Sequence, residues 1–154
     1  MMKIELLKAR LSDIQEMQKL VATEVESGLI LVRTSDEIAT NIRSYILAKE
    51  GSELVGFCAL HIHTSSLAEI RSLVVREDKR AKGIGESLIN EAMKEAQSLG
   101  LQKVLSLTYK QSFFEKLGFV EIPKESLPEH KIWADCIKCK HFPVCNEVSL
   151  IKTL

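Results

Sequence analysis

"AEIRSLVVREDKRAKGIGESL", residues 68–88, passes from an apolar run through a charged and glycine-bearing loop into a helical pattern. The run Ala68–Val75 reads as a strand. Two established loop patterns fail at the glycines that follow. A dinucleotide loop of the form G-x-G-x-x-G needs a third glycine where Leu88 stands, and a phosphate loop of the form G-x-x-x-x-G-K-[ST] needs lysine where Glu86 stands. What remains is R-x-x-G-x-G, from Arg80 to Gly85, between a strand and a helix. The first N–H groups of a helix have no partner within it and lie at the positive end of its dipole. Glycines let a phosphate approach that backbone closely, and Arg80 and Lys82 add charge at the rim. The residues alone leave two readings open: an anion cradle, or a tight turn that uses glycine for positive φ.

Working outward, the chain alternates strand and helix patterns. Residues 4–9 read as a strand. Ser12 with Gln15 makes a capping box for a helix carrying Ile14, Met17, Leu20, Val21 and Val25, which Gly28 ends. Thr34 with Glu37 makes a second box, and Ile38, Ile42, Tyr45 and Ile46 continue that helical face. Residues 46–62 read as strand, turn at Glu50–Gly51–Ser52, and strand. After the glycine loop, Leu88, Ile89, Ala92, Met93, Ala96 and Leu99 share a helix side closed by Gly100. A strand at 103–109, a short helix in "SFFEKL", a cap at Gly118, a strand in "FVEI" and a last strand in "EVSLIKTL" complete the order β-α-α-β-β-β-α-β-α-β-β. That order predicts an α/β (α+β mixed) fold, a mixed sheet with helices on both faces.

With 154 residues, the chain suits one domain, 1–154, with a cysteine-bearing segment at 130–154. Its 21 basic and 21 acidic residues cancel, which removes the electrostatic footprint of a general nucleic-acid binder. No apolar stretch reaches the roughly 20 residues that span a bilayer. "MMKIELLKARLSD" lacks a signal-peptide core, so a cytoplasmic location and no membrane partner are expected.

The order strand, R-x-x-G-x-G, helix, strand and "FFEKLGF" (113–119) resembles the GNAT acetyltransferase superfamily. The resemblance implies a twisted, mostly antiparallel sheet and acetyl-CoA as co-substrate. "GLILVRTSDEIATNI" (28–42), "CALHI" (58–62), "LSLTY" (105–109) and "SLPEHKIW" (126–133) resemble the amino-acid N-acetyltransferases, the N-acetylglutamate synthases of arginine biosynthesis, in their short bacterial forms. The long forms carry an additional arginine-sensing domain, for which this sequence has no room.

Residue by residue, the resemblance implies a pyrophosphate site at Arg80, Ala81, Lys82, Gly83, Ile84, Gly85 and Glu86. It also implies backbone pairing of Leu73, Val74 and Val75 with the pantetheine and thioester. Glu69 matches the glutamate that accepts the ammonium proton; the alternative is a solvent-facing strand carboxylate. Phe114 stands where many members place a tyrosine acid, so Tyr109 and Thr108 are the nearest replacements. Tyrosine carries a proton to donate at neutral pH, but Tyr109 could equally be a half-buried strand end, and water could serve instead. Arg33 matches the family arginine of the "LV-x-R" stretch and suits a substrate carboxylate. Arg71 alternates with Glu69 and so shares its face, to hold substrate or to pair with Glu69. The long synthases have a basic stretch near their C-terminus; here "DCIKCKHFPVCNEV" replaces it, with Lys138 or Lys140 as candidate substitutes.

Cys136, Cys139 and Cys145 have C-x2-C-x5-C spacing, with His141 inside and His130 upstream. Zinc, a metal-free structural knuckle and an iron–sulfur or redox centre all remain open. His61 and His63 alternate on a strand and read as satisfied sheet residues. A small-molecule amino acid and acetyl-CoA are the expected partners, with homodimerisation left open.

Overall fold

The computed structural model describes residues 3–30, 32–127 and 147–154. A seven-stranded sheet runs through it in the order β1-β2-β3-β4-β5-β7-β6. The strands are β1 (Ile4–Lys8), β2 (Tyr45–Glu50), β3 (Glu53–Ile62), β4 (Leu67–Val75), β5 (Lys103–Thr108), β6 (Val120–Ile122) and β7 (Val148–Thr153). Among the described strands only the β4–β5 pairing is parallel. The helices are α1 (Ile14–Glu26), α2 (Ser35–Thr40), α3 (Ile84–Leu99) and α4 (Gln111–Lys116). The element order is the one the sequence predicts.

Each face of the sheet has its own core. On one, Leu88, Ile89, Ala92 and Ala96 of α3 pack with Ile46, Cys58, Ile70 and Val104. On the other, Met17 of α1 and Ile38 of α2 pack with Tyr45, Leu47, Phe57 and Val74. Strand residues alternate between these faces. Tyr45, Ala59 and Arg71 stand opposite one another in adjacent strands, as do His61 and Glu69, so these residues share the α1/α2 face.

Local chemistry sets the element ends. Thr34 Oγ1 accepts from the Glu37 N–H at 3.1 Å while Glu37 Oε1 accepts from the Thr34 N–H at 3.1 Å, closing the predicted capping box. The Ser12 box does not form. Asp13 Oδ2 instead accepts from the Arg10 N–H at 2.8 Å, a 3-10 turn spans Leu11–Asp13, and the α-helix begins at Ile14. The second helix is also shorter than its pattern. The Asn41 side-chain amide donates to the Glu37 carbonyl at 2.9 Å, and Thr40 Oγ1 donates to the same oxygen. These side chains compete with the helical ladder. The helix stops at Thr40, and Tyr45 and Ile46 belong to β2.

Candidate active site

The site begins where the sheet parts. β4 and β5 pair only from Leu67 to Ile70 against Lys103 to Ser106. Beyond that both strands continue, to Val75 and Thr108, without pairing to each other. The β5-side edge of Arg71–Val75 therefore borders a gap, while its other edge stays paired with β3 across a register shift. Opposite Cys58, β4 carries an extra residue: Phe57 pairs with Val74 and Ala59 with Arg71. Ser72 adopts φ +55° at this bulge, in the left-handed region that costs a non-glycine residue energy. The bulge keeps Arg71 and Val74 on the same face and turns the backbone at the head of the gap.

The glycine loop closes the far end. Ala81 and Gly83 have φ of +63° and +83°. The first helical bond of α3 runs from the Ser87 N–H to the Gly83 carbonyl at 3.0 Å. The N–H groups of Ile84, Gly85 and Glu86 thus precede the helical ladder and point out of the helix start. The two glycines do separate jobs. A Cβ on Gly83 would meet nothing within 4 Å, so that residue supplies positive φ and open approach. A Cβ on Gly85 would lie 3.3 Å from Phe113 Cζ, so that glycine lets α4 close against the start of α3. Arg80 is committed to structure: its Nε donates to the Val75 carbonyl at 2.9 Å and its Nη2 to Glu24 Oε1 at 2.8 Å. Burial, and then the Arg80 charge, lower the Lys110 pKa from its ordinary value, while Glu24 opposes that shift.

Glu69 is 2% exposed, which rules out the solvent-facing alternative. Its Oε1 is 2.7 Å from His63 Nε2 and accepts from Arg71 Nε at 3.2 Å. Arg71 thus pairs with Glu69. His63 is a partner that sequence reasoning missed; the one signal was a His61–His63 alternation facing Glu69 across the strand pair.

A cavity of about 290 Å³ opens on the same sheet face, walled by α1, α2 and the sheet. Met17, Val21, Val25, Ile38 and Phe57 make it largely apolar; Gln18, Glu26, Arg33, Tyr45 and Ser72 supply its polar groups. Tyr45 is a second missed residue, because its pattern read as helix. Burial raises its hydroxyl pKa overall, and the Arg33 and Arg71 charges oppose that rise.

The proton-donor candidates are placed less tightly. Tyr109 lies one residue past β5 and is 38% exposed. Thr108 Oγ1 accepts from the Lys110 N–H at 2.9 Å. Phe114 is core, stacked edge-on with Phe113 and Phe119; Phe113 is the α4 ring that reaches Gly85. Cys136, Cys139 and Cys145, with His130, His141, Lys138 and Lys140, lie outside the described residues. Among the described residues no cluster of three or more His, Cys, Asp or Glu could hold a metal, and no helix is long and apolar enough to cross a membrane.

Comparison with known proteins supplies the deciding observation. Residues 11–119 match the model of the acetyltransferase (GNAT) family. The chain belongs to the GNAT family. It is an acetyltransferase of this family. It is 37% identical over 146 residues to an uncharacterized N-acetyltransferase of Chlorobaculum tepidum, covering 95% of this chain and 94% of that one. It is 30% identical over 118 residues to the amino-acid acetyltransferase of Mycobacterium tuberculosis, covering 75% of this chain and 67% of that one. Its GNAT fold superposes on N-acetylglutamate synthase of Neisseria gonorrhoeae, solved with coenzyme A and N-acetyl-glutamate, with a TM-score of 0.88 at 22% identity. That match covers 99% of this chain and 35% of that one.

Proposed function

We propose that this GNAT enzyme acetylates the α-amine of an amino acid, L-glutamate foremost, as the first step of arginine biosynthesis in the cytoplasm. The single observation that carries the reading is the 30% identity to an amino-acid acetyltransferase over most of the chain. The shared face of Glu69, Arg71, Tyr45 and the Arg33 cavity supports it.

Acetyl-CoA lies along the gap between β4 and β5. Its pyrophosphate meets the backbone N–H groups from Ala81 to Glu86, where Gly83 leaves open space and the helix dipole favours negative charge. Of Leu73, Val74 and Val75, the backbone groups that face the gap rather than β3 pair with the pantetheine, and an N–H among them polarises the thioester carbonyl. Arg33 holds the substrate carboxylate from the cavity side. Glu69 accepts the ammonium proton, directly or through water, because only the neutral amine has a lone pair for attack. The amine then attacks the thioester carbon, the C–S bond breaks, the attacking nitrogen gives its remaining excess proton to water, and the thiolate takes a proton from water or from Tyr109, which water then reprotonates.

The cavity wall favours a second reading. Arg33 is the one cation among its described lining residues, and most of the rest are apolar. An amino acid with an apolar side chain and a single carboxylate fits that wall as well as a dicarboxylate does.

Free-thiol release from acetyl-CoA, followed against a panel of amino acids and short peptides, tests both. Highest turnover with L-glutamate supports the first reading; highest turnover with leucine or methionine supports the second. Release only with peptides, or binding of acetyl-CoA without release, contradicts both.

A further inference from the structure

His63 has no part in the mechanism above, yet its ring nitrogen is 2.7 Å from the carboxylate on which that mechanism turns. The contact is well supported. The His63 side chain is 1% exposed and that of Glu69 is 3% exposed. The backbone N–H of His63 donates to the Leu67 carbonyl at 2.9 Å, fixing the residue at the β3–β4 corner. Its ring packs edge-on against His61 with centroids 4.9 Å apart. Among the described residues, the titratable and charged groups facing it are Glu69 and Arg71 from β4 and His61 from β3.

We propose that His63 is a positioning residue for the acyl transfer, donating Nε2–H to Glu69 Oε1 and holding that carboxylate in the orientation that receives the amine proton. The proposal rests on the reading of Glu69 as the base. A glutamate side chain has three rotatable bonds, and proton transfer needs the acceptor within hydrogen-bond reach of the amine or of one bridging water. Two donors that converge on one oxygen, His63 Nε2 from the strand corner and Arg71 Nε from the same strand, remove that freedom. The Nε2–H tautomer follows from the partner, since an ionised carboxylate only accepts. Nothing is consumed in this role; His63 acts through Glu69 and touches no substrate atom.

The test compares two amides that differ in reach. The nitrogen of glutamine extends to the Nε2 position, whereas that of asparagine falls short of it. Wild type, H63Q, H63N and E69Q are assayed by thiol release with the amine of highest turnover, and each variant's melting temperature is recorded. We expect H63N to lower kcat about tenfold or more, the scale set by losing a hydrogen bond to a charged group. KM for acetyl-CoA should stay within about twofold, and H63Q should keep kcat within about threefold of wild type. Should H63N fail to fold, H63M fills the space without a donor and takes its place. Wild-type kcat in H63N or H63M, with E69Q impaired, overturns the role of His63 and leaves the base reading intact. Equal loss in H63Q and H63N also overturns it. Wild-type kcat in E69Q removes the base reading, and the proposal falls with it.

Discussion

The two faces of the sheet are built to different rules. The α3 face is sealed by Ile84, Leu88, Ile89, Ala92 and Ala96, all buried against apolar strand residues, with Cys58 as a buried thiol. The α1/α2 face has a smaller apolar cluster, an open cavity, and a buried carboxylate with His63 and Arg71 on one oxygen. Buried charge contributes little to net stability, because desolvation offsets pairing. Stability is concentrated on one face, and the other gives some up to hold polar groups in place.

The largest effects should separate the faces cleanly. Glu69→Gln, on the polar face, should lower kcat about 100-fold or more, as loss of a general base does, while acetyl-CoA affinity stays near wild type. Steady-state kinetics beside a binding titration checks this; unchanged turnover across pH would sink the assignment. Leu88→Ala, on the sealed face, should do the reverse. It should cost about 2–5 kcal/mol of stability in denaturant unfolding, and the fraction that remains folded should keep the wild-type KM for the amine.

Arg33→Ala sharpens the comparison within the polar face. It should raise KM for the amino acid about tenfold and leave KM for acetyl-CoA within about twofold, the mark of a lost charge-assisted contact. An equal rise in both would argue that Arg33 supports the fold. Gly83→Val, at the junction of the faces, combines a φ of +83° with a branched side chain beside the helix start. It should weaken acetyl-CoA binding about tenfold and cost about 1–2 kcal/mol of stability, the penalty for a left-handed residue with a Cβ. The smallest effect is at Cys58. Burial pushes its thiol pKa up to about 12, so at pH 8 it stays protonated and resists alkylation until the protein unfolds. Rapid labelling of Cys58 in the native protein would show that the α3 face opens.

What the sequence made legible was local. The Thr34–Glu37 box, the Gly100 terminator, the turn at Gly51 and the strand–loop–helix passage from Glu69 to Leu88 are each written within a few residues of one another. The element order followed from such signals. What the sequence hid depends on atoms brought from elsewhere. Asp13 stands where Ser12 was expected, its side chain accepting from the Arg10 N–H of a 3-10 turn that precedes the helix. Tyr45 continued a helical pattern that Asn41 and Thr40 had already ended. The bulge at Ser72 leaves no mark in "RSLVV", since it arises from a register shift against β3. His63 meets Glu69 only once the β3–β4 corner has formed. The role of Gly85 depends on Phe113, 28 residues onward.

The central claim is that acetyl-CoA lies in the gap between β4 and β5 with its pyrophosphate on the start of α3. Backbone amide NMR during titration with acetyl-CoA tests it most directly. The largest shifts should fall on Leu73–Val75 and on Ala81–Glu86, with β1 and the middle of α3 nearly unmoved. Saturable binding whose shifts lie elsewhere, with those two segments silent, would contradict it.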